Sequence, residues 1–356
     1  MRFSKVVNRF AWSVACVAAT LLVVFTIRAQ EAKEDQKPAA KEEADKPKAK
    51  DRYAVPEGGV DELVKFVEEL EAFRPTDAQE YFAHRQKAPI ALEAAANKIL
   101  ELEKDKESAV AKKASGVLLQ LSARKIGQVD ADEQRVILDK LTDYLSKKEL
   151  TRADLSIAMN AGRALEYSDA KEMAAEAYES FGKIYSESKD EQVASFGGML
   201  AGSSRRLKLE GNALELEGTK LDGAKFDVAE LKGKVVLVDF WATWCGPCRA
   251  EYPNIKKAYD KYHEHGFEVV GVSIDQSREA LEKYIEEKEV PWITLHEKDA
   301  GGKNPATTRY GIFGIPTMFL VGRDGNVISI RARGNDLARL LDEQFGDLEA
   351  TDDDKS

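Results

Sequence analysis

Between about residues 58 and 210, apolar side chains recur three and four positions apart: Leu92, Ala96, Ile99 and Leu102; Val136, Leu141, Tyr144 and Leu145; Met173, Ala177, Phe181 and Ile184. That spacing lays them on one face of a 3.6-residue period, so the segment predicts amphipathic helices. Thr151 in "TRAD" and Ser168 in "SDAKE" stand where capping side chains belong. Six or seven helices joined by short polar turns predict an antiparallel all-α array. "GVLLQLSARK" at Gly116 echoes "GGMLAGSSRR" at Gly197, eighty-one residues on. The echo fits two helix pairs of a tetratricopeptide-like solenoid and fits a plain bundle equally well. The small residues of "ASFGGMLAGSS" let neighbouring helices approach closely, with no groove implied.

After residue 211 the period changes. "ALELEG" alternates as a strand does, "LDG" turns, and "DVAELKG" predicts a short helix capped by Asp227 and Glu230 and closed by Gly233. "KVVLVDF" is a continuous apolar run broken by one carboxylate, as in a central strand buried on both faces. A helix with Tyr252, Ile255, Tyr259 and Tyr262 on one side follows, with Pro253 as a kink point. Then come strand "FEVVGVSID", helix "SREALEKYIEEKE", a short strand near "WITLHE", a helical stretch near "ATTRYG" and strand "TMFLVG". Asp324-Gly325 turns the chain into "NVISIRARG", and Leu337, Leu340, Leu341 and Phe345 stripe a closing helix. Strands alternating with helices and ending in a hairpin predict a mixed central sheet with helices on both faces.

The amino terminus is of another kind. Arg2, Lys5 and Arg9 precede an uncharged eighteen-residue run, "FAWSVACVAATLLVVFTI", at residues 10–27. It predicts an export signal or a membrane anchor in residues 1–28; the length and the lack of a clean A-x-A site favour the anchor. Either way the basic residues stay in the cytoplasm and the rest of the chain emerges outside it, in the periplasm or cell envelope. Cys16 lies inside the run, where it serves as a small apolar residue rather than a lipidation site. Residues 29–57 mix Lys, Glu, Ala and Pro with little to bury, which predicts a flexible charged linker, and residues 348–356 form an acidic tail. The net charge of −10 argues against nucleic acid as a partner.

Of three cysteines, Cys245 and Cys248 remain for chemistry, at a helix start directly after the buried strand. Unpaired N–H groups and the dipole at a helix amino end favour an anion, so Cys245 ionises more readily than a free thiol. The three-residue offset puts Cys248 on the same face one turn deeper, making Cys245 the exposed attacker and Cys248 the buried resolver.

"VVLVDFWATWCGPCRAEYP", "FGIPTMFLVGRDGNVI" and "FDVAELKGK" together resemble the thioredoxin family, in its extracytoplasmic TlpA/ResA branch of thiol-disulfide oxidoreductases. The resemblance covers residues 211–347 and is silent on the helices before them. It implies a thioredoxin-like α/β domain preceded by the all-α array at 58–210. It also implies Cys245 as nucleophile, Cys248 as resolving thiol, and a disulfide between them. Trp244 and Pro247 match the residues that frame the pair. Pro316 matches the family's cis-proline, and Ile315 offers its backbone to an extended substrate.

Two carboxylates are candidate acids. Asp239 interrupts the apolar strand six residues before Cys245, and burial raises a carboxyl's pKa into the range where it can exchange a proton with Cys248. Cytoplasmic thioredoxins resemble this chain at Asp239, whereas many exported relatives carry Asn. Glu251 matches a glutamate that the ResA-like branch keeps near its cysteines, and it also fits an exposed first-turn residue that complements the dipole. The sequence does not choose between the two.

Other chemistry is thinly supported. His263-x-His265, His84 and His296 lack the partners of a zinc site, and "GGKN" at Gly301 lacks a phosphate loop's spacing. A peroxidatic cysteine outside the Cys-x-x-Cys pair is missing, as are flavin and nicotinamide motifs, so no cofactor and no metal are expected. The favoured function is reduction of disulfides in exported proteins, apocytochromes c among them, with an upstream redox-donor protein restoring the dithiol; the same pair also fits an oxidase or an isomerase. The alternative is a helical protein-binding scaffold to which the thioredoxin-like domain is accessory.

Overall fold

The computed structural model describes residues 51–298, 302 and 304–346. The apolar run at 10–27 with Cys16, the charged residues 29–50, Gly301 and the acidic tail at 348–356 lie outside them. Among the described residues no helix is long and apolar enough to cross a membrane.

Seven helices make the array: α1 (Val60–Ala72), α2 (Ala78–Leu102), α3 (Ala109–Lys125), α4 (Ala131–Ser146), α5 (Leu155–Glu166), α6 (Lys171–Ser186) and α7 (Glu191–Leu207). Short polar side chains start most of them. Asp77, Ser108, Asp130 and Asp190 each accept an N–H of the first turn of α2, α3, α4 and α7, a cap that is typically worth about 1 kcal/mol. Thr151 and Asp154 form a reciprocal capping box ahead of α5. Ser168 caps nothing: its hydroxyl donates to Leu165 O and accepts from Ala170 N, closing α5, and α6 starts at Lys171 without a side-chain cap. Val136 and Leu102 are about half exposed, so the buried stripe of α4 is Leu138, Leu141 and Leu145. The array also begins earlier than composition predicts. Val55 packs beside Leu63 and Ile99, and Lys98 Nζ donates to Pro56 O at 3.1 Å.

A five-stranded sheet follows, ordered β5 (Ile293–His296), β4 (Phe267–Ser273), β3 (Val235–Trp241), β6 (Thr317–Val321), β7 (Val327–Ser329). β3 runs parallel to β4 and antiparallel to β6, and every one of its residues is buried. β1 (Glu217–Thr219) and β2 (Lys225–Asp227) form a separate hairpin. The "ALELEG" alternation buries Leu214 and Leu216, yet only Glu217–Thr219 joins a ladder. Val235 and Leu237 point to the face covered by α8 (Gly246–Tyr262) and α11 (Asn335–Phe345), and α9 (Arg278–Lys288) packs Leu281 in a cluster with Trp241.

The opposite face carries the helical array. Val236, Val238, Phe240 and Phe319 belong to one continuous apolar cluster with Leu165, Phe181 and Leu200 of α5, α6 and α7. Small residues make this contact possible. Gly202 of α7 meets the backbone of the last turn of α10 (Pro305–Arg309) and of the residues just after it: a Cβ there would overlap Thr308 O and Gly311 N. Ser203 Oγ reaches Gly311 O at 3.3 Å. Gly202→Ala is therefore expected to cost about 3 kcal/mol in denaturant unfolding, because the obstacle is backbone and cannot swing away. A change below about 0.5 kcal/mol, the size of an ordinary surface substitution, would show that α7 is not seated tightly.

Candidate functional site

The end of β3 is fixed before the chain reaches the cysteines. Asp275, 2 % exposed, accepts Thr243 Oγ1 at 2.6 Å, Thr243 N at 3.1 Å and Ser273 Oγ at 2.9 Å. Ile274 N donates to Trp241 O at 2.9 Å, and Cys245 N donates to Ala242 O at 3.1 Å. Trp241 and Thr243 are thus pinned to the residues that follow β4. Sequence reasoning passed over Asp275; the signal was a Ser-x-Asp pair ending an otherwise apolar strand, where a polar group needs a partner.

Cys245 is the N-cap of α8, with extended backbone, and its Sγ accepts Cys248 N at 3.1 Å. Pro247 sits in the first turn, where its missing N–H costs no hydrogen bond. The two sulfurs form a disulfide, with Cα atoms 5.2 Å apart. In this form the expected contrast in exposure is missing, since Cys245 and Cys248 are each 5 % exposed. Trp244, beside them, is 63 % exposed. The helix continues through Pro253 to Tyr262.

Ile315-Pro316 is a cis peptide bond, and Ile315 packs against the cluster containing Cys245, Cys248, Trp241 and Leu281. Among the described residues the Ile315 main-chain N–H and C=O have no hydrogen-bond partner. An extended segment laid beside the disulfide would find both groups free.

Asp239 shares the α8 face of β3 and is 6 % exposed, with Oδ1 lacking a hydrogen-bond partner among the described residues. Burial pushes its carboxyl up to about 7; the nearby Glu251 carboxylate pushes the same way and Arg333 opposes. Glu251 is not the exposed first-turn residue that its position allowed. It is 6 % exposed and accepts Gly334 N at 2.9 Å, Arg333 Nε at 3.3 Å and Asn254 Nδ2 at 3.2 Å. Arg333 and Gly334 were invisible as site residues because they come from the residues just before α11, about eighty positions on. One acid is thus tethered and the other is bare.

The histidines are otherwise engaged. His263 Nδ1 lies 3.1 Å from Phe267 O and its ring stacks on Tyr259, while His296 Nε2 lies 2.9 Å from Asp275 O. Among the described residues no group of three His, Cys, Asp or Glu converges as metal ligands would.

Comparison with known proteins bears on the same segment. A Redoxin family profile matches residues 206–341. Thiol-disulfide oxidoreductase ResA of Bacillus thuringiensis subsp. konkukian (strain 97-27) is 34 % identical over 125 residues, covering 35 % of this chain and 69 % of that protein. The protein of the same name from Bacillus anthracis is 36 % identical over 110 residues, covering 31 % and 61 %. A crystal structure of the thioredoxin domain of a thiol-disulfide oxidoreductase from Bacteroides vulgatus is 33 % identical, with a TM-score of 0.35, covering 38 % of this chain and 95 % of that one.

Proposed function

This chain belongs to the TlpA/ResA-like branch of the thioredoxin family and is a thiol-disulfide oxidoreductase, and we propose that it reduces disulfides of exported proteins in the cell envelope through Cys245 and Cys248. The observation that carries the proposal is the pairing of these sulfurs in the first turn of α8, beside the cis Ile315-Pro316 bond. In the dithiol form, the Cys245 thiolate attacks one sulfur of a substrate disulfide. That S–S bond breaks, a mixed disulfide forms, and the other substrate sulfur leaves as a thiolate. Cys248 gives up its proton, attacks the Cys245 sulfur and expels the second substrate thiolate, leaving the Cys245–Cys248 disulfide. Two electrons pass to the substrate, and the exchange moves them between sulfurs with no cofactor.

Asp239 is the proposed acceptor of the Cys248 proton, because its carboxyl has an unpartnered oxygen and a pKa near neutrality. Glu251, saturated by Arg333, Gly334 and Asn254, tunes Asp239 through charge. Trp244 and the Ile315 backbone supply the contact surface for the substrate. An upstream redox-donor protein returns the disulfide to the dithiol, and residues 10–27 hold the chain at the membrane. Gly-Pro between the cysteines supports the reducing direction, with apocytochromes c among the substrates.

The test is trapping. Full-length Cys248→Ser, expressed in an exporting host, is expected to accumulate partners disulfide-linked to Cys245, recoverable from the envelope and released by dithiothreitol. Recovery of no linked protein, with envelope proteins held non-covalently by a chain lacking both cysteines, would instead favour a helical scaffold.

A further inference from the structure

We propose that the cleft between the helical array and the cis-proline loop is a substrate subsite for an extended polypeptide segment that carries acidic side chains next to its disulfide cysteine. The proposal rests on the oxidoreductase function above and adds what the enzyme selects.

The cleft has a volume of about 370 Å³. One wall comes from α5 and the turn after it, through Met159, Arg163 and Tyr167; the other is Phe313 and Pro316 of the cis-proline loop. Ile315, next to Pro316, packs on the apolar cluster that holds the redox pair, which sets the cleft beside that cluster. A substrate whose cysteine reaches Cys245 and whose backbone pairs with Ile315 has its flanking residues at the mouth of this cleft.

Charge selects the occupant. Glu166, 7 % exposed, is saturated: Arg206 donates to both its oxygens at 2.9 Å, and Arg331 Nη2 donates to its backbone carbonyl at 2.9 Å and lies 3.4 Å from Oε1. Arg163 is exposed, and among the described residues no carboxylate pairs with it. Two guanidinium groups therefore hold one carboxylate while Arg163 lines the same cleft with no carboxylate of its own, a local positive excess on a chain of net charge −10. Guanidinium groups with free donors take carboxylates in preference to neutral or basic groups.

Shape points to a peptide. Tyr167 stands 77 % exposed at the rim, its ring held under the Arg331 guanidinium at 4.7 Å. An exposed tyrosine with a methionine on its own wall and a phenylalanine across the cleft is an anchoring surface for apolar side chains, and Arg163 lies beside the tyrosine and methionine. Both walls are fixed relative to each other by the Gly202–Gly311 approach and by the Arg331–Glu166 contacts. The subsite is thus built before substrate arrives, with one wall supplied by a part of the chain that lies outside the thioredoxin-like domain.

The test compares two synthetic peptides with the same intramolecular disulfide, one flanked by Asp and Glu and the other by Lys, as substrates of the reduced full chain. Wild-type kcat/KM is expected to favour the acidic peptide by about tenfold at low salt. The ratio should shrink toward one in ~0.5 M salt. Arg163→Glu is expected to bring the ratio to one or invert it. Equal turnover of both peptides by the wild type overturns the subsite and leaves the oxidoreductase reading intact; turnover of neither overturns both. A preference that survives both Arg163→Glu and Tyr167→Ala also overturns it. The wild-type ratio and its salt dependence decide the matter even if a variant misfolds.

Discussion

Cys245→Ser should lower disulfide reduction by at least ~10³-fold, whereas Cys248→Ser should complete one attack and then stop. A serine hydroxyl is not ionised at neutral pH and is a poor nucleophile toward sulfur, so nothing replaces the Cys245 thiolate. The fold has prepared that anion: Cys248 N already donates to the Cys245 sulfur at 3.1 Å, and the first turn of α8 contributes its positive end. Cys248→Ser keeps the attacking sulfur and loses the one that resolves. Rapid-quench measurement of released substrate thiol should therefore show a burst of one thiol per chain, with no steady rate behind it. Both variants also lose a bridge that closes a very short loop, worth about 2 kcal/mol on chain entropy. That is too little to unfold a core of this extent and cannot account for the kinetic difference between them. Steady turnover by Cys248→Ser, or more than about a tenth of wild-type rate in Cys245→Ser, would remove the two-cysteine mechanism.

The parts of this site that were legible in the sequence are those with a local cause. A seven-residue run that is apolar but for Asp239 reads as a central strand buried on both faces, and Cys-Gly-Pro-Cys after it reads as a helix start. Asp227, Glu230 and Gly233 give away a capped turn in the same manner. Asp239 also followed from its neighbours, since a carboxylate inside that run has no solvated place to go. What escaped depends on partners far along the chain. Glu251 looks like an ordinary first-turn residue until the residues just before α11 fold onto it. The seat of α7 on Gly311 joins positions more than a hundred residues apart, and no periodicity announces it. Helical spacing predicted that the array has a buried face; it could not predict that α5, α6 and α7 share their core with the sheet face opposite α8. The cleft at the cis-proline loop follows from that placement, which is why neither Arg163 nor Tyr167 drew notice in the sequence.

Asp239→Asn should stabilise the protein in alkaline solution and slow it as an enzyme. The Asp239 carboxyl titrates near 7 in the fold against 3.8 as a free group, chiefly because it is buried and secondarily because Glu251 is close. Below pH ~4 the carboxyl is protonated in both folded and unfolded chains and contributes no pH dependence. Between about 4 and 7 the unfolded chain releases this proton and the folded chain keeps it, so stability falls as pH rises; above about 7 the full cost is present. A displacement of this size corresponds to ~4 kcal/mol, an order-of-magnitude figure. Asparagine has nearly the same shape and never ionises. Its stabilising effect should therefore be near zero at pH 4 and grow to roughly 2–4 kcal/mol at pH 8, as read by denaturant unfolding across that range. In the same variant Cys248 loses the proton acceptor proposed for it, and the resolving step should slow by about 10²-fold at pH 7 with the first attack little changed. Equal pH slopes for the two proteins would mean that Asp239 is ionised throughout, and an unchanged resolving rate would assign the proton to another group. Finding both shifts together would show that the buried carboxylate costs the fold stability in order to deprotonate the second sulfur.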